Sequence, residues 1–173
     1  MKARLLILVI FTFLSLRVHS QNSWTLLEET VIKGTVSGTI SQGYVFKVKS
    51  NDFYVVNDAT NQKISTTTNP AVNIFQSGSL YQFEIQNLDA PIICTKLKGV
   101  IESKIEGEFK GWDGETIFNL SNKQTWQQSS PAVLKHQAKG PKVLIYEFKG
   151  AWMMRVENVE EVIEVKKLTQ GKE

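Results

Sequence analysis

The sequence predicts an all-β protein built from two small β-barrel-like units. Three observations carry that prediction. Apolar and polar residues alternate with period two in stretches such as Leu80–Ile85 and Ile105–Lys110, the mark of half-buried strands. Clusters of Gly, Asn, Asp and Ser separate these stretches at short intervals, which is the spacing of sandwiches and barrels. A single segment, 70–76, leaves room for a short helical turn.

The first 20 residues, MKARLLILVIFTFLSLRVHS, stand apart. Lys2 and Arg4 give a basic start, Leu5 to Leu14 is apolar except for Thr12, and Val18-His19-Ser20 precedes Gln21. That is the pattern of a secretory signal peptide, and the apolar run is shorter than the roughly 20 residues that span a bilayer. The expectation is cleavage before Gln21 and export to the periplasm or the extracellular space. No Cys lies near the cut, which argues against a lipid anchor. No second run of spanning length follows, so no transmembrane segment is expected after signal removal.

Removing residues 1–20 changes the charge. The whole chain has 20 Lys and Arg against 17 Asp and Glu, a net +3. Three of the cations, Lys2, Arg4 and Arg17, lie in the signal, and no acid does. The mature chain is therefore neutral, with no global field to attract polyanions. This argues against a nucleic-acid partner, which normally leaves a basic footprint. Cys94 is the only cysteine, so no internal disulfide is possible and the fold rests on its core. Flanked by Ile92-Ile93, it reads as a small buried hydrophobe, with an intermolecular disulfide as the alternative.

The first unit occupies 21–98. Thr30–Val36 is β-branched and ends in a bend at Ser37-Gly38. Tyr44–Lys49 alternates, Ser50-Asn51-Asp52 turns, Phe53–Val56 is a strand, and Asn57–Asn61 turns again. Lys63–Thr67 is a weaker strand. Leu80–Ile85 and Pro91–Leu97 follow. Five or six strands with one interruption are compatible with an OB-like barrel. The second unit occupies 99–168. Ile105, Gly107 and Phe109 alternate with Glu106, Glu108 and Lys110; Lys110–Gly114 breaks the pattern, and Asp113-Gly114 reads as a tight turn. Thr116–Leu120 is a strand, Ser121-Asn122-Lys123 a turn, and Thr125–Gln128 a strand. Ser129–Pro141 reads as a long connection of the kind that carries function. Val143–Phe148, Ala151–Val156 and Val162–Leu168 complete a set of five or six strands able to curl closed. The tail 169–173 is polar and expected to fray. No convincing internal repeat is visible.

The second unit resembles a small SH3-like barrel domain of secreted bacterial proteins. The resemblance rests on Ile105-x-Gly107-x-Phe109-x-Gly111-Trp112, Thr116-x-Phe118-x-Leu120, Asn122, Trp126-x-Gln128 and the last strand, Ile163 to Leu168. The family usually has Asn-Gly at the hairpin where this chain has Asn122-Lys123. The resemblance implies a fold and an exported bacterial setting. It implies no functional residue.

Chemistry is sparse. His136 is the only histidine of the mature chain, and no nucleophile signature surrounds it. One His and one Cys do not build the usual zinc shells, so no metal and no cofactor are expected. Asp113 and Glu115 lack the ligand ladder of a calcium loop. Glu106 and Glu108 share a strand face with Lys104 and Lys110, as on an ordinary solvated side. Lys47, Lys49, Phe53 and Tyr54 would suit a nucleic-acid stacking platform, or else fill the core. No catalytic residue is assigned. The candidate ligand-binding residues are Trp112, in a Gly-flanked turn where a ring is hard to bury, with Lys135 and His136 on the long connection; alternatively Trp112 folds back as a lid on the barrel. Trp126 and Trp152 are expected in the core. The expected function is a non-enzymatic binding or scaffold protein of the cell envelope, whose partner is a protein or glycan. The alternative is a hydrolase using acidic residues at the seam between the units.

Overall fold

The structure, a computed structural model, describes residues 23–58 and 60–169. The expected signal segment, its cut before Gln21 and nearly all of the polar tail lie outside the described residues. Among the described residues there are sixteen strands and no helix. The protein is all-β, in two barrel-like units.

The first unit contains β1 (Thr25–Val31), β2 (Thr35–Ile40), β3 (Val45–Lys47), β4 (Phe53–Val56), β5 (Gln62–Thr68), β6 (Ala71–Ser77), β7 (Leu80–Ile85) and β8 (Ile92–Lys96). Its main sheet runs β1-β6-β7-β8-β4-β3, and β2 and β5 form a separate ribbon. The second contains β9 (Ile101–Lys104), β10 (Glu108–Trp112), β11 (Ile117–Asn119), β12 (Thr125–Gln128), β13 (Leu134–Lys139), β14 (Lys142–Phe148), β15 (Ala151–Val156) and β16 (Val162–Leu168). Its sheet runs β9-β14-β15-β16-β12-β11, with β10 and β13 as the ribbon. Every pairing is antiparallel.

The outermost strands of each sheet meet just beyond their ends. In the first unit an Ile32–Val48 bridge joins the ends of β1 and β3; the Lys33 amide donates to the Lys47 carbonyl and the Lys49 amide to that of Val31. In the second, Ile105 and Leu120 do the same for β9 and β11. Each sheet thus closes on itself there, which removes the edge that an open meander would present.

The two units are therefore one architecture used twice, which corrects the reading that no repeat is present. Strand for strand, the sheet orders coincide. The ribbons carry the same irregularity, between Val36 and Gly38 and between Phe109 and Gly111. Both bulge glycines have positive φ, 79° and 94°, a conformation costly for any residue with a Cβ. Ile32 donates its amide to the Pro70 carbonyl as Ile105 does to that of Pro141. Asn87 and Asn158 occupy the same left-handed turn, at φ 64° and 63°. The repeat is hidden in the sequence because the second unit lacks two single residues, one between Gly111 and Ile117, one between Gln128 and Ala138.

Several element expectations change. Segment 70–76 is not a helical turn but β6, whose Val72 and Ile74 point into the core. Thr30–Val36 is two strands broken at Lys33-Gly34. Gly111 and Trp112 belong to β10 rather than to a turn. The long connection Ser129–Pro141 contains a strand, β13. Each unit has eight strands, not five or six.

Each unit buries its own core. Phe46, Tyr54, Ile74, Phe83, Ile92 and Cys94 lie in the first; Phe109, Trp112, Phe118, Trp126, Ile145 and Met154 in the second. Trp126 is buried as expected, while Trp152 is half-buried against it, ring centroids 5.3 Å apart. Cys94 is fully buried, and desolvation pushes its thiol well above the usual range.

A third cluster joins the units. Val45, Val55 and Phe53 from the outer face of β3 and β4 meet Leu144, Tyr146 and Met153 from the outer face of β14 and β15. Tyr146 is fully buried, and its hydroxyl donates to the Gly43 carbonyl at 3.1 Å. Lys47 is bonded to both carboxylate oxygens of Glu102, at 2.8 and 2.9 Å, and the Arg155 guanidinium lies 4.9 Å from the centre of the Tyr44 ring.

Candidate functional site

The residues singled out from sequence do come near one another. Lys135 stands opposite Gly111 in the β10–β13 ribbon, and Leu134 opposite Trp112. The site they were expected to form is nevertheless not open. Trp112 is only 4% exposed and packs in the second core, so its ring is not a free contact surface. His136 is half-buried on β13, its ring 6.0 Å from that of Phe109. Lys135 alone is exposed.

The connection before β13 is also fastened. Gln128 is the one buried polar side chain among the described residues, 2% exposed. Its amide nitrogen donates to the carbonyls of Ser130 and Ala132, at 2.8 and 2.7 Å, and its oxygen accepts from the Gly114 amide at 2.7 Å. One side chain thus ties the 113–116 turn to the chain leaving β12. The turn has its own cap: the Thr116 hydroxyl donates to Asp113 Oδ1 at 2.7 Å, which holds the Asp113 carboxyl below its usual range, helped by the Glu115 amide. Buried amides bonded on both ends rigidify what they join.

The other sequence candidates resolve into structure. Tyr54 is buried in the first core and Phe53 lies in the seam, with Lys47 4.9 Å from its ring centre. Glu106 pairs with Lys123 at 3.0 Å and Glu108 with Lys110 at 3.5 Å. Among the described residues, no three of His, Cys, Asp and Glu converge as metal ligands would.

The developed cavity lies elsewhere, beside the seam. A groove of about 780 Å³ runs along the outer face of β9, β14 and the end of β15, walled by the turn after β11. Cross-strand register sets two rows of side chains across it. One row is Lys104, Lys142 and Glu157; the other is Glu102, Leu144 and Arg155. Leu144 supplies an apolar floor between an acid and a base.

The carboxylates in these rows are already engaged. Glu102 is held by Lys47 of the first unit. Glu157 accepts from the Lys142 amide at 3.2 Å and lies 3.4 Å from Lys142 Nζ. The backbone bond first, then the lysine charges, hold the Glu157 carboxyl below its usual range. Of the cations, Lys142 faces Glu157 and Arg155 stacks on Tyr44; Lys104 is exposed on the wall.

The first unit shows which of these features belong to the architecture. The equivalent face holds a groove of about 560 Å³ lined by Glu29, Val31, Ala71 and Asn73. There the Ala71 amide donates to the Gln86 side chain at 3.3 Å, as the Lys142 amide does to Glu157. The strand-end clasp is thus common to both units. The cations and the apolar floor are not: Lys104, Lys142, Leu144 and Arg155 stand where the first unit has Val31, Ala71, Asn73 and Glu84, while Glu29 stands where the second has Glu102. Sequence reasoning missed this groove, although β14 carried a signal. Val143-Leu144-Ile145-Tyr146 is apolar without alternation, which means that both faces of the strand are covered.

No family model, curated protein or solved structure matches the chain.

Proposed function

We propose that this protein is a non-enzymatic binding or scaffold module of the cell envelope, and that the groove beside the seam is where its partner, a protein or glycan, sits. The observation that carries this reading is the state of the groove carboxylates. A general acid must hold its proton near neutral pH, yet Glu157 is shifted the other way and Glu102 is paired with a lysine. An apolar floor with a few convergent polar groups is the ordinary make-up of a binding site. Export, to the periplasm or outside the cell, rests on the pattern of residues 1–20. SH3-like character of the second unit rests on the motif from Ile105 to Gln128.

The test is a titration of the protein with peptidoglycan fragments, acidic peptides and basic peptides, alongside a hydrolysis assay of the same set. The expected result is saturable binding of one class without bond cleavage. Lys104→Glu should weaken it about tenfold or more, the effect of about 1.4 kcal/mol, at an unchanged melting temperature. Glu157→Gln is the control, because Gln86 makes the same clasp with an amide. Cleavage of any member of the set that Glu157→Gln abolishes would overturn the reading in favour of a hydrolase.

A further inference from the structure

From the repeat we infer that copies of this chain associate head to tail, the first unit of one seated on the second unit of the next, through the same pair of faces that the units use inside one chain. The template is the seam. There the outer face of β14 and β15 in the second unit, centred on Tyr146, covers the outer face of β3 and β4 in the first, centred on Val45 and Val55. Both faces recur once more, each without a partner among the described residues.

The strand correspondence places Phe75 where the second unit has Tyr146. Leu26 pairs directly opposite Phe75, and cross-strand partners share a face. Leu80 lies on that face too, opposite Ser77, two residues along β6 from Phe75. Leu26 and Leu80 are 48% and 36% exposed, and Leu27, at the β1 bulge, 51%. This is an apolar patch on a sheet face whose counterpart is covered. At the other end Ile117 stands where the first unit has Val45, and it is 54% exposed. Of the five most exposed large hydrophobics among the described residues, Leu26, Leu80 and Ile117 thus lie on the two faces that the repeat leaves unpaired, Leu27 is at the bulge beside Leu26, and Val133 is in a loop.

Charge favours the head-to-tail pairing over two like faces meeting. The first unit's free face carries Glu29 and Glu84, exposed on β1 and β7. Two such faces would set carboxylates against carboxylates. The second unit's free face carries Asn119, Gln127 and Lys166, the last two opposite each other in β12 and β16. In the seam Lys47 bonds Glu102; their counterparts are Asn119 and Glu29, an amide able to donate to a carboxylate. A heterologous contact of this kind does not close on itself as a two-fold dimer does, so it builds a chain of copies. The free face of the second unit is more polar than Val45 and Val55, so the association is concentration-dependent.

Sedimentation velocity on the purified protein, its N-terminus fixed by mass spectrometry, tests this from micromolar to millimolar. The expected result is a mass that rises continuously past two chains. Leu26→Glu and Ile117→Glu, each at an exposed position, should each hold the protein at one chain with an unchanged melting temperature. Mixed together, they should form a species of two chains and no larger one, because each variant keeps one intact face. Wild-type protein that remains one chain throughout overturns the inference, and so does a mass that stops at two. Loss of association in Leu26→Glu but not in Ile117→Glu would also overturn it, since it would show that something other than the second unit covers the first.

Discussion

Tyr146 gives the sharpest test of the seam, because one residue supplies both its central ring and its central hydrogen bond. The hydroxyl donates to the half-buried Gly43 carbonyl. Tyr146→Phe removes that bond and leaves the ring, which makes the position match Phe75. A net hydrogen bond is worth about 1 kcal/mol, or roughly 2–4 °C for a chain of this size. Tyr146→Ala also removes a fully buried ring shared by Val45 and Val55. Deleting a large buried aromatic costs about 3–5 kcal/mol, hence roughly 10 °C or more. Its site matters as much as its size: the ring sits in neither unit's own core, so the loss falls on the coupling between them. Calorimetry should show one cooperative transition in the wild type and in Tyr146→Phe, and two overlapping transitions in Tyr146→Ala. A single transition for Tyr146→Ala within about 1 °C of wild type would refute the reasoning, because it would mean that the seam carries no coupling.

Gly111→Ala should be far more damaging than Gly38→Ala, although the two glycines are equivalent. Both have positive φ, but a Cβ on Gly111 would run into the Leu134 carbonyl, whereas Gly38 faces open space. Urea denaturation should show a loss of about 1–2 kcal/mol for Gly38→Ala, the cost of the left-handed conformation alone, and general unfolding for Gly111→Ala. Lys123 has φ 66° in the turn after β11; Lys123→Gly should raise stability by about 0.5–1 kcal/mol by the same measure, since its exposed ion pair with Glu106 is worth little. Stability should also fall in alkali. Burial pushes the Tyr146 phenol from 10.0 up to about 12. The raised value makes its contribution complete below pH 10 and lost as pH climbs to 12, a change of roughly 2–3 kcal/mol. Tyr146→Phe should flatten that decline in pH-dependent denaturation curves. At the acid end the sign is opposite: Asp52, lowered by Lys96, and Glu157, lowered by the Lys142 amide, contribute above their ordinary values of 3.8 and 4.5. That contribution is lost as pH falls below those values, so acid unfolding should set in earlier in Asp52→Asn.

What could be read from the sequence was whatever one strand declares by itself. β4, β7, β12 and β15 announce themselves through alternation or through β-branched and aromatic content, and the buried Cys94 through its isoleucine neighbours. What could not be read depended on a partner strand. β13 buries only one edge of LKHQAK against β10, and its inward residues are Leu134, His136 and Ala138; two of the three are weakly apolar, so it passed for a loop. Pro70 preceding an apolar run imitated a helix start, whereas its carbonyl in fact receives the Ile32 amide and helps close the barrel. Trp112 looked exposed because glycines surround it. One of those glycines, Gly111, is what allows β13 to come close enough to bury the ring. The groove was unreadable for a related reason: its rows set β9 beside the β14–β15 hairpin, from which it is distant in sequence, and two of its side chains, Glu102 and Arg155, are held by Lys47 and Tyr44 from across the seam.

The repeat turns these separate observations into a comparison of one architecture with itself. Where both units need a feature for folding, they share it: the bulge glycine, the proline carbonyl, the left-handed Asn, the clasp made by Gln86 or Glu157. Where they differ, the feature belongs to one unit and not to the shared architecture. By that criterion Gln128 is a local device of the second unit, since Val56 fills its place with no hydrogen bond to make. Tyr146 and Leu144 belong to the seam, since their counterparts Phe75 and Asn73 are half-buried and exposed, respectively. Lys104 and Lys142 belong to neither core nor seam, since Val31 and Ala71 complete the same strands without charge. Lys104 and Lys142 stand in cross-strand register, with Lys142 facing Glu157, and the first unit completes the same strands without either lysine. The lysines of this groove are thus a feature of the second unit alone, which is what supports the binding site proposed above.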